Sequence, residues 1–364
     1  MMQISPETQL FIREHSSDDV RVLALQAKKY PDIDMPTAIT QIAGRKVAAE
    51  KIPSWWEIEK IWYPKHLSLE QCSSEITARY KARLLQGDSL TDLTGGFGID
   101  CSFLATGFKS ATYVERQEEL CEIAAHNFPV LNLNHINIKN EDGVTYLQAM
   151  SPVDCLFLDP ARRNEHGGKT VAISDCEPNV AELEELLLQK ANRVMIKLSP
   201  MLDLSLALKE LKQTQEVHIL SVNNECKELL ILLGQTSPTE ISIHCVTLST
   251  KGTQEEQHFV FTREQEQCSE CTYTDSLETY LYEPNASLLK AGAFRSIAAA
   301  YPVRKLHPNS HLYTSDTFIE NFPGRIFRIV NQCSFNKKEV KENLADLKKA
   351  NVTVRNFPAT VAEL

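Results

Sequence analysis

The sequence predicts an α/β protein: a mostly parallel sheet covered on both faces by helices, with a helical region before it and a smaller α+β region after it. Three observations carry this. Residues 1–88 have helical periodicity and helix-start signals, and residues 89–235 alternate short apolar runs with helical stretches. After about Leu233 the composition turns polar (G-Q-T-S-P-T-E, then K-G-T-Q-E-E-Q), which opens a third region over 236–364. Alternation of β and α segments is the pattern of a parallel sheet with crossover helices. A chain of 364 residues is also longer than a single core usually serves.

In the first region, Ser16 with Asp19, Ser54 with Glu57 and Ser68 with Gln71 have the spacing of capping boxes. After Ser68 the apolar positions Leu69, Cys72, Ile76, Tyr80 and Leu84 fall on one helical face. Trp55, Trp56 and Trp62 read as core anchors rather than a base-stacking platform. In the second region strands are predicted at 89–93, 111–115, 136–138, 153–158, 193–198, 216–222 and 229–234. Helices are predicted at 99–106, 117–127, 143–150, 179–190 and 204–214. The last two strands are separated only by a short link containing N-N-E-C, which permits an antiparallel pair but no crossover. At the C-terminus, Thr360 and Glu363 form a capping-box pattern just before Leu364, a helix signal that predicts further chain beyond this point.

Composition narrows the class. Hydrophobic residues make up 43% and charged residues 24%, as in a soluble globular protein, and no apolar run approaches the roughly 20 residues of a membrane span. The N-terminus lacks the pattern of a signal peptide. Ten scattered cysteines read as reduced thiols, so a cytoplasmic location is expected. The net charge of −10 repels polyanions at long range, so nucleic-acid binding would need a local basic surface. Residues 276–364, with 12 Lys+Arg against 8 Asp+Glu, are the more basic part.

The most informative stretch is T-D-L-T-G-G-F-G-I-D-C, Thr91 to Cys101, between the first strand and its helix. A dinucleotide site would favour G-x-G-x-x-G, but from Gly96 the sequence reads G-F-G-I-D-C and the third glycine is absent. Asp92 and Asp100 flank the loop. Carboxylates beside a pyrophosphate are unfavourable, whereas beside an ammonium they help. S-adenosylmethionine carries an ammonium and a sulfonium and no phosphate, so the loop favours that cofactor. The glycines would let the backbone approach its methionine arm. Glu115, 23 residues after Asp92 and ending the second strand, can accept both ribose hydroxyls. Asp142, after the third strand and beside Gly143, can accept the adenine amino group. One such acid would more often be a helix cap, but three after consecutive strands match the ligand edge of an open sheet. The fourth strand ends in L-D-P-A-R-R, which puts Asp159 and Pro160 at the same edge.

These motifs resemble the bacterial class I S-adenosylmethionine-dependent methyltransferases with a THUMP-like C-terminal domain, within the wider RNA methyltransferase group. The resemblance rests on L-S-L-E-Q-C-S-S-E-I-T-A-R-Y-K-A, D-L-T-G-G-F-G-I-D, F-L-D-P-A-R-R, I-K-L-S-P-M-L-D, S-V-N-N-E-C-K-E-L, Y-L-Y-E-P-N-A-S-L-L-K-A-G-A-F and F-P-G-R-I-F-R-I-V. It spans most of the chain from near Pro53. It implies a Rossmann-like sheet of order 3-2-1-4-5-7-6 with the last strand antiparallel, and a THUMP-like domain that delivers RNA. It also implies a cofactor pocket built by Asp92, Thr94, Gly95, Gly96, Gly98, Glu115 and Asp142. Enzymes that methylate base amines usually read Asp/Asn-Pro-Pro-aromatic at the acceptor motif. Here Asp159 and Pro160 fit that pattern, while Ala161 and Arg162 replace its second half. Arg162 could stack on a base, hold a phosphate or pair with an acid.

The function expected from the sequence is methyl transfer from S-adenosylmethionine to RNA at a base nitrogen, with Asp159 orienting the acceptor. Methylation of a protein or small molecule, or RNA binding without catalysis, are the alternatives. Lys197, in an apolar strand, is expected to point toward the substrate, because an unpaired buried charge is costly. Asn223, Asn224 and Glu225 are candidate acceptor-pocket residues, and Ser74, Glu75 and Thr77 candidate cofactor contacts from the preceding helix. Cys226 would be the nucleophile of a carbon-methylating mechanism, though a small buried residue is the commoner role. Cys268 and Cys271 form a single C-S-E-C, too few ligands for zinc, so no metal is expected.

Overall fold

The alternation predicted from Ser89 onward forms β1 (Ser89–Asp92), β2 (Ser110–Glu115), β3 (Ile136–Asn140), β4 (Val153–Leu158), β5 (Ala191–Leu198), β6 (Thr214–Val222) and β7 (Glu225–Gly234) in the computed structural model. The structure describes residues 4–162, 172–236, 238–250, 256–345, 347–354 and 358–363. The strand order is β3-β2-β1-β4-β5-β7-β6. β1 to β5 are mutually parallel and β7 runs antiparallel to β5. This is the order that the family resemblance implies.

Topology follows from the connections. Parallel neighbours need a crossover, and the predicted helices supply it as α7 (Ile99–Ala105), α8 (Glu118–Val130), α9 (Gly143–Ala149) and α10 (Val180–Lys190). β6 and β7 are joined only by Asn223 and Asn224, with φ of 50° and 66°. Two asparagines in the left-handed region close a hairpin by themselves. The sequence reading placed N-N-E-C in the link, but Glu225 and Cys226 already belong to β7.

The chain divides into two compact units, 1–217 with 228–239, and 218–227 with 240–364. In the first unit, α1 (Pro6–Glu14) to α6 (Glu75–Ala82) precede the sheet. The helix starts differ from those expected. Asp19 itself caps the helix at Val20–Leu25, Pro53 opens the one at Pro53–Trp56, and Ser68 lies inside the one at His66–Gln71. The helix expected to run on from Ser68 breaks, because Cys72 and Ser74 are extended. Trp55, 2% exposed, packs edge-on against Phe97 at 5.2 Å, so these helices buttress the loop after β1. Trp62 packs on the same core, whereas Trp56 is exposed with Arg45 over its ring.

In the second unit, β8 (Ser242–Leu248) pairs antiparallel with β9 (Glu256–Thr262). A separate antiparallel sheet has the order β11-β12-β10-β13, from β10 (Tyr280–Pro284), β11 (Arg304–His307), β12 (Ser310–Ser315) and β13 (Gly324–Arg328). Tyr282, Tyr313 and Phe322 fill its core. No helix among the described residues is long and apolar enough to cross a membrane.

Candidate active site

The site forms at the carboxyl ends of β1 to β4. Asp92 ends β1 and is fully buried. Its Oδ1 accepts the Thr94 N–H at 2.9 Å, while Oδ2 is buried without a hydrogen-bond partner. Burial pushes this carboxyl well above the usual range. The Thr94 N–H pulls it down, and Asp100, Asp159 and Glu115 push it further up. Thr94 in turn accepts the backbone N–H of Asp159 on its hydroxyl at 2.6 Å, tying the β1 loop to the end of β4.

The glycines of the loop serve two sides. A Cβ on Gly95 would overlap the Tyr113 ring, so packing beneath the loop requires that glycine; one on Gly98 would stand 3.1 Å from Phe128, and its left-handed φ of +87° favours glycine there. Gly96, at φ +54°, has no atom nearer to such a Cβ than Thr94 O at 3.8 Å. The open face of the loop is therefore at Gly96.

Glu115 ends β2 beside this face. Its Oε2 accepts the Gly96 N–H at 2.9 Å and its Oε1 accepts the Gln117 N–H at 2.8 Å. Each carboxylate oxygen keeps a further lone pair for a ligand hydroxyl. Asp142 is the N-cap of α9, with Oδ1 accepting from the Val144 and Thr145 N–H groups. The helix-cap role of this exposed acid is thus real, and its Oδ2 takes no part in the cap. Gly143 is required because a Cβ there would overlap the Leu93 carbonyl oxygen, which brings the start of α9 against the β1 loop.

Asp159 follows β4. Its Oδ2 pairs with the Lys197 ammonium of β5, so the buried charge of Lys197 is met by a carboxylate. Lys197 also lies 3.7 Å from Asp100. Asp100, in the first turn of α7, pairs with Lys81 of α6 at 3.0 Å, and Lys81 pairs with Glu228 of β7 at 2.6 Å. The Ser73 hydroxyl accepts from Lys81 at 2.8 Å and donates to Asp100 at 2.7 Å, which is what the break between the His66–Gln71 helix and α6 accomplishes. Burial raises the Asp100 carboxyl, but Lys81 and Lys197 outweigh it and hold it below the usual range. Burial likewise opposes the charge on Lys197, and Asp159, Asp100 and Glu228 outweigh it and keep the ammonium above its ordinary value. Burial raises the Asp159 carboxyl while Lys197 draws it down. Burial prevails, so the carboxyl stands above its usual range, although 37% of the side chain remains exposed to solvent.

Lys81, Ser73, Asp100 and Glu228 form a network; all four lie within the quoted motifs, but the sequence reading gives a role to Asp100 alone. Their signal lies in charges interrupting apolar stretches: Lys81 inside T-A-R-Y-K-A and Glu228 opening E-L-L-I-L-L. Pro160 is buried and Ala161 exposed. Ala161–Arg162 pairs with Cys176–Glu177 in a short antiparallel ribbon, while the Arg162 side chain lies outside the described residues.

Other candidates take structural roles. Glu75 accepts from the Ser54 N–H and from Arg79, which ties α6 to the preceding helices. Ser74 and Thr77 bond to each other. Asn223 bonds to Thr250, Asn224 accepts from the Ala286 N–H at 2.7 Å, and Glu225 pairs with Lys227. Cys226 lies in a strand, and burial pushes its thiol up to about 11, the opposite of what a nucleophile requires. Cys268 and Cys271 join no group of potential metal ligands among the described residues.

A family profile described as a ferredoxin-like domain matches residues 280–323, and one described as THUMP domain-like matches residues 324–364. No curated protein matches the chain. Among solved structures, a candidate methyltransferase from Porphyromonas gingivalis W83 aligns over 100% of this chain and 92% of its own, at 33% identity and a TM-score of 0.86. An rRNA methylase from Streptococcus thermophilus aligns over 44% of this chain and 93% of its own, at 15% identity and a TM-score of 0.32. SMU.1697c from Streptococcus mutans, solved in complex with SAH, aligns over 44% of this chain and 96% of its own, at 13% identity and a TM-score of 0.32. The agreement in sheet order, and a whole-length relative at 33% identity, place this chain in the family of class I S-adenosylmethionine-dependent methyltransferases with a THUMP-like C-terminal domain.

Proposed function

We propose that the protein methylates a base nitrogen of RNA, using S-adenosylmethionine as donor and Asp159 to orient the acceptor. The observation that carries the donor assignment is the buried Asp92 Oδ2 without a hydrogen-bond partner, in the field of Asp100, Asp159 and Glu115. A cation-bearing ligand relieves that charge; a pyrophosphate would aggravate it. Because Asp92 has no exposed surface, it acts through its field and through the loop it holds. Gly96 offers backbone, Glu115 would accept the ribose hydroxyls, and Asp142 Oδ2 and Gly143 stand where the adenine amino group would lie.

When bound, S-adenosylmethionine supplies a methyl group on a sulfonium. The remaining work falls to the chain. Asp159 Oδ1, free of the Lys197 contact, accepts an N–H of the acceptor amine and so turns the nitrogen lone pair toward the donor. The proton that the nitrogen loses passes to water on the exposed side of Asp159. Orientation of this kind can supply several kcal/mol of the barrier. RNA as substrate is supported by the THUMP domain-like match over 324–364 and by the basic balance of residues 276–364.

The test has two arms. Mass spectrometry of RNA nucleosides from cells with and without the gene should reveal one methylated species that is lost, and purified protein should restore it. Asp159→Ala should remove transfer while calorimetry gives S-adenosylmethionine affinity within about threefold of wild type. Unchanged RNA modification in the absence of the gene would sink the RNA assignment; turnover by Asp159→Ala comparable to wild type would sink the role of Asp159.

A further inference from the structure

Carboxylates and ammoniums alternate through the first unit in the order Glu228, Lys81, Asp100, Lys197, Asp159. Side-chain exposure along this chain is 6%, 0%, 10%, 10% and 37%. Only the Asp159 end opens substantially to solvent. A purely structural ion pair would need no such series, because two buried partners satisfy each other. Here the buried members also determine what the exposed one can do. Lys197 contacts Oδ2 alone and is itself fixed by Asp100, which Lys81 and Ser73 hold from behind.

We propose that Lys197 is a positioning residue for methyl transfer, binding one oxygen of Asp159 so that the other meets the acceptor, and holding that carboxylate in its anionic form. The inference rests on the reading of Asp159 as the acceptor-facing group, and it narrows the substrate. An ionised carboxylate with one free oxygen is an acceptor only, so the substrate atom must bring its own N–H, as an exocyclic or primary amine does. A ring nitrogen without hydrogen is not held by this oxygen. The charged groups around Asp159 are Asp92 from β1, Lys81 from α6, Asp100 from α7, Lys197 from β5 and, one step behind, Glu228 from β7. Removing Lys197 leaves Asp159 facing Asp92 and Asp100, with Lys81 the remaining cation, so proton uptake by Asp159 becomes easier.

The test follows the Asp159 carboxyl itself by carbon-13 NMR titration, with its signal assigned by loss in Asp159→Asn, beside the pH profile of transfer. In Lys197→Met, Asp100 keeps Lys81 and Asp159 keeps its exposure to solvent, so the protein should fold. The Asp159 midpoint and the acid limb of kcat should rise together by about one pH unit or more, an expected change on the order of tenfold in proton affinity. Affinity for S-adenosylmethionine should stay within about threefold. Lys197→Arg keeps the charge but can grip both oxygens, so its acid limb should stay in place while kcat falls about tenfold. If Lys197→Met leaves the midpoint and the profile where they are in wild type, or lowers kcat equally at every pH, the proposal is overturned. A raised midpoint in a protein that methylates no RNA supports the Lys197–Asp159 coupling and removes only the acceptor assignment.

Discussion

The hydroxyl of Thr94 accepts the backbone N–H of Asp159 at 2.6 Å. One side chain from the loop after β1 thereby fixes where Asp159, the proposed acceptor-facing carboxylate, starts. Thr94→Val keeps the shape and removes the acceptor. An N–H left unpaired in a partly buried position costs about 1–3 kcal/mol, and a small displacement of Asp159 should lower kcat about tenfold or more. Thermal unfolding and single-turnover methylation measure the two effects, and Thr94→Ser should restore both.

Asp92 offers a trade between stability and binding. Its folded-state carboxyl is raised by burial and by neighbouring acids, so its favourable contribution is complete below the ordinary carboxylate range. That contribution is lost as pH rises through the folded value. Asp92→Asn should therefore raise the melting temperature of the ligand-free protein at neutral pH by a few degrees, about 1–2 kcal/mol. The gain should vanish toward pH 4. Calorimetry should give weaker S-adenosylmethionine binding by about tenfold. A variant no more stable than wild type at neutral pH would argue that Asp92 is already compensated.

The glycines should rank by what a methyl group would meet. Gly143→Ala drives a Cβ into the Leu93 backbone carbonyl and Gly95→Ala into the Tyr113 ring. Each should destabilise by about 1–3 kcal/mol or more, Gly143→Ala the more because a backbone yields less. Gly96→Ala meets open space and pays only for its left-handed φ, about 1 kcal/mol, so its main effect should appear in donor affinity. Urea unfolding of the three variants beside binding isotherms would reveal the order.

Lys81 is fully buried between Asp100 and Glu228. Lys81→Met leaves Glu228 unpaired and should cost about 3–5 kcal/mol. Lys81→Met with Glu228→Leu should cost less than the single change, since Lys197 remains near Asp100. Asp100 is held below the usual carboxylate range, so its contribution is complete above about pH 4 and is lost as pH falls below that. The deficit of Lys81→Met should shrink accordingly at acidic pH. A double variant as unstable as the sum of the single ones would exclude the coupling.

The sequence by itself determined the sheet and its ligand edge. The period of the apolar runs specifies each strand and helix, and their alternation leaves a parallel sheet as the consistent solution. Glycines with acids at strand ends then mark Asp92, Glu115, Asp142 and Asp159 on one side. What only the tertiary structure decided is which of these groups meet a partner. Lys81, Asp100, Lys197 and Glu228 come from α6, α7, β5 and β7, up to 147 positions apart, and ion pairs between them have no local period to betray them. The N-N-E-C link shows the same limit, since only the two left-handed asparagines reveal that Cys226 belongs to a strand. Local pattern encodes which face a residue takes, whereas pairing of buried charges depends on distances that exist only once the sheet has closed over them.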